Sequence, residues 1–398
     1  MINTKEISKD IWWIGGSDRR LDLFENLFPL PNGVSYNSFL VMDEKTVLFD
    51  TADETIAEQF MENLQGVLGE RKLEYLVILH MEPDHCSQIA NVAALYPDIT
   101  IVSNARTFTF IDQFFPGLKS IKRQEIKDGE SFSSGKHTFT FMNAPMVHWP
   151  EVMFAYDDNS KALFTADAFG TFGALDSGIF ADEYDFEKKY LDDARRYYSN
   201  IVGKYGVQVQ GVLKKAQELD IQMLCPLHGP IWRENIEWFI NKYNLWSTYE
   251  AEDDETVLIY GSMYGHTKSA AEKVASLIRE KSGKQVSVYD ASKTDTSNLI
   301  SEVWRCKRIV IFCPTYNGGI YPPIECFIND MLSLGVRNRS FALAQNGTWG
   351  PISAKLMGDK LSTLKNVSIS ENILTIKSAL HESDNEQINA FVDAVAAM

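Results

Sequence analysis

The sequence predicts an α/β protein in two parts, a sandwich of two packed sheets flanked by helices (αββα) and then a doubly wound five-stranded parallel sheet. Three observations carry this. Up to residue 249, strand patterns fall in two clusters with helical patterns between them, which suits two sheets better than one barrel. An acidic run, Glu250-Ala-Glu-Asp-Asp-Glu255, reads as a linker or solvated turn. Behind it, strand and helix alternate for about 145 residues, the pattern of a parallel sheet.

In chain order, Ile11-Trp-Trp-Ile-Gly-Gly, Val34 to Met42 and Thr46 to Asp50 predict a meander, followed by a helix from Glu54 to about Leu68. The apolar, β-branched run Leu73 to Leu79 predicts a buried strand, and the segment after Cys86 has helical period. A strand at Ile99 to Ser103 and a helix near Arg106 to Phe115 continue the alternation. Strands follow at His137 to Met142, Val152 to Tyr156 and Ala162 to Thr165, then helices at about Asp182 to Val202 and Val207 to Leu219, then a strand at Ile221 to Cys225. In the second part, strands are expected at Thr256 to Tyr260, Gln285 to Tyr289, Arg308 to Phe312, Ser340 to Ala344 and Val367 to Ile376.

A formal net charge of −16 disfavours nucleic acid and anionic membrane as partners, because both would repel the chain. No apolar run reaches membrane-spanning length and the first ten residues lack a secretory core, so a cytoplasmic location is expected. The five cysteines include no Cys-x-x-Cys pair, which points away from a disulfide framework and from thiolate metal sites. Cys86 and Cys225, although near metal-type histidines, read as small buried residues.

One hexapeptide organises the first part. His80-Met81-Glu82-Pro83-Asp84-His85 puts four metal-capable side chains at the C-terminal end of a predicted strand. Spaced i, i+2 and i+4, His80, Glu82 and Asp84 project to one side if the chain stays extended, and Pro83 holds Glu82 out of the helical region. Asp84 or His85 can cap the next helix. His148, Asp167 and His228 also follow strands. Each alone reads as a turn aspartate or a structural histidine. Together the seven offer enough imidazole and carboxylate for two ions, with Asp167 as a bridge.

This set resembles the metallo-β-lactamase fold, whose dinuclear site lies at the edge of a two-sheet sandwich. Glu82 stands where that family's commoner motif has a second histidine. More carboxylate makes a harder, more anionic site that suits iron, whereas imidazole-rich sites suit zinc. Glutamate here is the mark of the flavodiiron proteins, or A-type flavoproteins.

The second part bears on that resemblance. Between the Thr256–Tyr260 strand and its helix lies Gly261-Ser262-Met263-Tyr264-Gly265-His266-Thr267, a phosphate cradle of backbone N–H groups and helix dipole. It has no Lys or Arg and no Gly-Lys-Ser/Thr, so a phosphomonoester fits better than a triphosphate. Two more loops leave central strands: Pro314-Thr315-Tyr316-Asn317-Gly318-Gly319 and Asn346-Gly347-Thr348-Trp349-Gly350. Their glycines permit close approach, and Tyr316 or Trp349 can stack on a planar ring. The three loops together resemble flavodoxin and imply FMN.

The resemblance to flavodiiron proteins then covers essentially the whole chain, with a metallo-β-lactamase-like diiron domain over 1–249 and a flavodoxin-like FMN domain over 255–398. By motif, it places one iron on His80, Glu82, His148 and Asp167 and the other on Asp84, Asp167 and His228, and leaves His85 open because family members differ there. Trp149 would line the pocket. Tyr197 or Tyr198 can offer a hydroxyl there, with core packing the plainer role for both. The implied activity is reduction of O2 to water, of NO to N2O, or both, at a non-haem diiron site fed by FMN. Alternatives are a zinc hydrolase carrying a passenger flavodoxin domain and a non-catalytic redox carrier or gas sensor; Glu82, the flavin loops and the full ligand set speak against them. With no Gly-x-Gly-x-x-Gly loop for a nicotinamide and no paired cysteines for an internal rubredoxin, electrons are expected from an external donor such as a rubredoxin or a deazaflavin. The resemblance also implies a head-to-tail homodimer, or a dimer of dimers, that brings FMN of one subunit beside the irons of the other.

Overall fold

Two sheets carry the first part of the chain in the computed structural model, which describes residues 3–398. Met1 and Ile2, which open the N-terminal segment read above for a secretory signal, lie outside them. From edge to edge the first sheet runs Lys5–Ser8, Ile11–Trp13, Phe39–Met42, Thr46–Phe49, Tyr75–Val77, Thr100–Ser103 and Lys122–Glu125. The second runs Ser131–Ser133, Thr138–Asn143, Met153–Asp157, Ala162–Phe164 and Met223–Cys225. Aromatic rings fill the core: Phe49 stacks on Phe164 at 4.6 Å between centroids and meets Phe139 edge-on at 4.9 Å. Such ring pairs add roughly 0.5–1.5 kcal/mol each beyond their buried area.

By its internal contacts the chain divides into two compact units, Met1–Tyr198 with Val207–Asn244, and Ser199–Gly206 with Leu245–Met398. In the second unit the strands lie parallel in the order Val286–Asp290, Asp253–Tyr260, Cys306–Tyr316, Ser340–Asn346 and a last position shared by Ser368–Ile369 and Leu374–Ile376. Leu258, Val310 and Ala342 pack against the helices His266–Ser282 and Asn385–Ala397. The alternate residues Val257, Ile259, Ile309 and Ile311 are equally buried. Both faces are therefore covered, which is why these strands read as unbroken apolar runs.

Four sequence expectations need correction. The strand expected over Val34 to Met42 is two strands, since Val34–Tyr36 pairs with Gly16–Asp18 while Phe39–Met42 joins the large sheet. Between them the buried Asn37 amide takes the Trp13 indole N–H and donates to the carbonyls of Pro226 and Gly229, all at 2.8 Å, which ties down the bend. The long helix expected over Asp182 to Val202 is broken into Phe186–Lys189, Leu191–Tyr197 and a π-helical turn, Tyr198–Val202. Tyr190, at the first break, leaves helical geometry and donates its hydroxyl to the Ala174 carbonyl at 2.9 Å. The expected strand Val367 to Ile376 is the two short pieces named above. Finally, the acidic run is no solvated linker, because Asp253 to Glu255 begin a strand. Arg305 pairs with Asp253 at 3.0 Å and Glu255 at 2.6 Å, and Arg308 with Asp254 at 2.6 Å.

A buried ion pair in the second sheet gives a pH-dependent prediction. His137 Nδ1 lies 2.8 Å from Asp157 Oδ2, and the His137 backbone N–H donates to Asp43. Burial opposes the charge on His137, but Asp157, Asp43 and Asp10 hold its pKa above the ordinary value. Burial likewise opposes the Asp157 charge, and His137 with Ser160 holds its pKa below the ordinary value. The histidine's contribution is complete below about pH 6.5 and lost as pH rises through its folded pKa; the aspartate's is complete above about pH 4 and lost on acidification. His137→Ala should cost about 3 kcal/mol near pH 6 and less on the alkaline side. Urea unfolding at the two pH values checks this, and an equal cost at both would refute the assignment.

Candidate functional site

The metal-type residues converge at one edge of the sandwich because each follows a strand whose end lies there. Phe164 pairs in parallel register with Cys225, so Asp167 and His228, each three residues further on, emerge side by side. His80 follows Tyr75–Val77, and its backbone N–H and that of Leu79 donate to Asp50 Oδ1 at 3.2 and 2.8 Å.

Seven buried side chains form two groups. In the first, His80, Glu82, His148 and Asp167 converge. His80 Nε2 is 3.4 Å from Glu82 Oε2 and 3.4 Å from Asp167 Oδ2, and His148 Nε2 is 2.9 and 3.0 Å from the same two oxygens. The second group is Asp84, His85 and His228. Asp84 Oδ2 is 3.3 Å from His85 Nε2 and 3.2 Å from His228 Nε2, and the two imidazole nitrogens face each other at 3.0 Å. Asp167 Oδ1 turns to this group, 3.0 Å from His85 and 3.7 Å from His228. One carboxylate thus presents one oxygen to each group.

The hexapeptide does not project its carboxylates to one side as an extended chain would. Glu82 is extended, but Pro83 opens a short helix, Pro83–Cys86, so Asp84 and His85 turn away from His80 and Glu82 toward the other group. Glu82, and neither Asp84 nor His85, is the N-cap of that helix. A proline at the first helical position favours this turn, since its missing N–H has no partner to lose there.

The arrangement suits metal ligation. Both Asp84 oxygens and Asp167 Oδ1 are buried and accept no hydrogen bond, although imidazole nitrogens lie near. Donor atoms about 2.1 Å from a shared ion sit about 3.0–3.5 Å apart, the spacing seen here. The carboxylates and imidazoles also perturb one another. Burial would raise the Asp167 carboxyl, yet the His85 and His80 imidazoles hold it well below the usual carboxylate range. Burial would depress His85 and His148, yet Asp84 and Asp167 for the first, and Asp167 and Glu82 for the second, raise each to about 9. With the imidazoles neutral, as ligation requires, three buried carboxylates would leave the cluster anionic, and two divalent ions would offset that charge. The donor set, four imidazoles and three carboxylates with one shared, fits a pair of irons.

Residues that sequence reasoning missed orient the clustered imidazoles. Glu151 Oε1 takes hydrogen bonds from His80 Nδ1 at 2.8 Å and from the Met81 N–H at 2.9 Å. His228 Nδ1 donates to the Ser35 carbonyl at 2.8 Å. Each fixes the ring so that Nε2 faces the centre. Glu151 follows His148, Trp149 and Pro150 directly, but a lone glutamate after a predicted pocket residue carries no motif. Asp50, buried at φ 52°, is pushed up to about 7 by burial against the opposing Leu79 and His80 contacts.

Around the cluster, the Trp149 ring stands edge-on to His80 at 5.4 Å. Tyr197 and Tyr198 part ways. Tyr197 lies 5.5 Å from His228 between ring centroids, with its hydroxyl buried and unpartnered. Burial first, then the charges of Asp167, Glu82 and Asp84, keep that hydroxyl protonated. Gly170 permits this approach, since a Cβ there would meet the Tyr197 ring at 3.1 Å. Tyr198 packs on Tyr243 instead.

In the second unit the three loops enclose a cavity of about 650 Å3. Ser262, Met263, Tyr264, His266 and Thr267 line it from the first loop, Pro314, Thr315, Asn317 and Gly318 from the second, and Asn346 to Gly350 from the third. Gly265, Tyr316 and Gly319 belong to these loops without facing the cavity. Gly265 caps the helix at φ 93°, Tyr316 leans on Tyr321, and Gly319 pairs back onto Tyr316. Ser262 Oγ accepts the N–H groups of Gly265 and Lys268, so the cradle is formed in advance. A fourth loop, missed in the sequence, adds Ser378, which exchanges hydrogen bonds with Asn346. Tyr264 and Trp349 hold rings 89% and 85% exposed at the cavity, faces suited to a flat aromatic ligand. Cavity size, helix N-terminus and rings together fit FMN.

Comparison with known proteins follows the same division. Residues 34–229 match the family described as ODP family beta lactamase, and residues 258–369 match flavodoxin. An anaerobic nitric oxide reductase flavorubredoxin of Vibrio vulnificus is 30% identical over 352 residues, spanning 87% of this chain and 70% of that one. A nitric oxide reductase of Moorella thermoacetica is 29% identical over 369 residues, spanning 92% and 91%. Among solved structures, rubredoxin oxygen:oxidoreductase from Desulfovibrio gigas aligns with a TM-score of 0.91 at 26% identity, over 99% of this chain and 98% of that one.

Proposed function

Because this chain belongs to the flavodiiron proteins, an oxidoreductase family with FMN and a diiron site as cofactors, we propose that it reduces O2 to water, NO to N2O, or both. The observation that carries the reading is the shared Asp167 carboxylate between two ligand groups in a chain that also holds a flavin-sized cavity. In this reading His80, Glu82, His148 and Asp167 hold one iron, and Asp84, His85, His228 and Asp167 the other. Bound there, a ferrous pair supplies electrons and open positions for a diatomic gas, and FMN supplies the replacement electrons.

The chain's own residues then set the conditions. Glu151 and the Ser35 carbonyl hold two imidazoles in register, so the site is ordered before substrate arrives. Trp149, Phe24 and Phe172 make an apolar surround that keeps bulk water from the centre. Tyr197 holds a proton on a hydroxyl with no competing partner, poised for hydrogen bonding to a small polar molecule.

The donor is external in this reading, a rubredoxin or a deazaflavin, and the working unit is a head-to-tail dimer in which FMN of one subunit serves the irons of the other. Among the described residues, no helix is long and apolar enough to cross a membrane. A cytoplasmic location accords with that reading. Purified from iron-replete cells, the protein should contain two irons and one FMN per chain. It should consume added O2 or NO when driven by NADH with a rubredoxin and its reductase, and under argon its FMN should be reduced quickly by that system and slowly by NADH alone. Zinc at full occupancy without gas reduction would sink the proposal, and fast, saturable flavin reduction by NADH alone would remove the external donor from it.

A further inference from the structure

The first unit carries a second cavity, of about 410 Å3, which shares no residue with the metal groups or the flavin loops. It is lined from the helices Phe186–Lys189 and Ile236–Ser247 and the segments just before them, and its size is that of a small-molecule site. One side is aromatic. Phe186 stands edge-on to Trp232 at 4.5 Å between centroids and to Trp238 at 6.2 Å, and Trp232 stacks on Phe239 at 4.3 Å. Phe186 and Trp232 are buried, whereas Trp238 is only half-buried, so part of its indole stays open at the cavity.

The rest of the lining is acidic. Asp182, Asp185, Glu187 and Glu234 contribute to it, and no lysine or arginine does. Asp182 is paired with Arg233 at 2.8 Å, and Asp185 caps its helix by accepting the Lys188 N–H at 3.3 Å. Glu187 and Glu234 are exposed and form no salt bridge among the described residues. They belong to the two different segments that bound the cavity. Rings beside them already attract cations, with Lys189 Nζ 4.5 Å from the centre of the Tyr184 ring and Lys242 Nζ 5.5 Å from that of Trp238.

Unpaired carboxylates on two sides of an aromatic surface select a ligand that is cationic at its ends and apolar between them. We propose that this cavity binds a linear aliphatic polyamine, its ammonium groups at Glu187 and Glu234 and its methylene stem against Phe186 and Trp238. The carboxylates accept charge-assisted N–H bonds, and the rings both attract an ammonium and cover the stem. An anion is repelled here, a neutral hydrocarbon desolvates the carboxylates without return, and a single amine reaches only one of them. Such binding needs neither metal nor flavin chemistry.

The test is calorimetric titration of the full-length protein, with its cofactors, by spermidine, by butylamine and by a lysine-rich peptide, at low and at high salt. Wild type should take up one spermidine per chain, more tightly than butylamine by roughly 10-fold or more, and should weaken as salt rises. Glu187→Gln combined with Glu234→Gln, and separately Trp238→Ala, should each weaken spermidine by roughly 10-fold. Glu371→Gln combined with Glu386→Gln removes the same charge from exposed positions of the second unit and should leave the affinity unchanged. An equal loss in that control would mean diffuse attraction to an acidic chain and would overturn the proposal. Unchanged affinity in both cavity variants would do the same, as would tighter binding of the peptide than of spermidine, which would make the occupant a basic protein segment.

Discussion

Asp167→Ala should release both ions and lower gas reduction by on the order of 10²-fold or more. Loss of a group that merely orients a ligand typically costs about 10-fold to 100-fold in metal affinity, and Asp167 presents an oxygen to each ligand group, 3.0 Å from His148 on one side and 3.0 Å from His85 on the other. Its removal also strips the buried imidazoles of the carboxylate that favours their charge, so His80 and His85 should titrate at lower pH in the metal-free variant. Iron content by mass spectrometry, gas consumption and histidine titration by NMR give three readings. Two irons per chain retained at wild-type affinity would show that Asp167 is no bridge.

Glu82→His should convert the site from iron to zinc and abolish gas reduction while leaving the fold in place. Glu82 is the residue that sets this donor set apart from an imidazole-rich one, and its carboxylate is strongly favoured in the charged form. Burial opposes that charge, but the His148 and His80 side chains beside it prevail and hold its pKa far below the ordinary value. An imidazole there removes one hard anionic donor, and the softer, more neutral set favours zinc, which has no redox chemistry. Metal analysis after growth in medium holding both metals, circular dichroism and gas assays check the outcome. Unaltered iron content and turnover would show that Glu82 is not a ligand.

Much of the site was legible because its residues carry chemistry in their spacing. The hexapeptide named four candidates, and the strand patterns before His148, Asp167 and His228 placed three more at the same edge. Periodicity also marked the second unit, whose buried parallel strands write themselves as apolar runs and whose loops follow strand ends. What failed was local geometry that depends on distant partners. The break at Asn37 depends on carbonyls of Pro226 and Gly229, almost two hundred residues away. The acidic run looked like a linker because Arg305 and Arg308, which neutralise it, are about fifty residues further on.

The sequence by itself determined the two-part α/β architecture and singled out the seven metal-type side chains that cluster and the three loops that line one cavity, since each follows from residue type, alternation and order along the chain. Only the tertiary structure decided how the seven divide. Pro83 opens a helical turn where an extended chain was expected, and this sends Asp84 and His85 to one group and leaves Glu82 with His80 in the other. The structure alone brought in Glu151, Ser35 and Ser378, and separated Tyr197 from Tyr198. These residues carry no motif, because a supporting hydrogen bond needs only a donor or acceptor at the right point in space, and the register of remote strands, which no local pattern encodes, fixes that point.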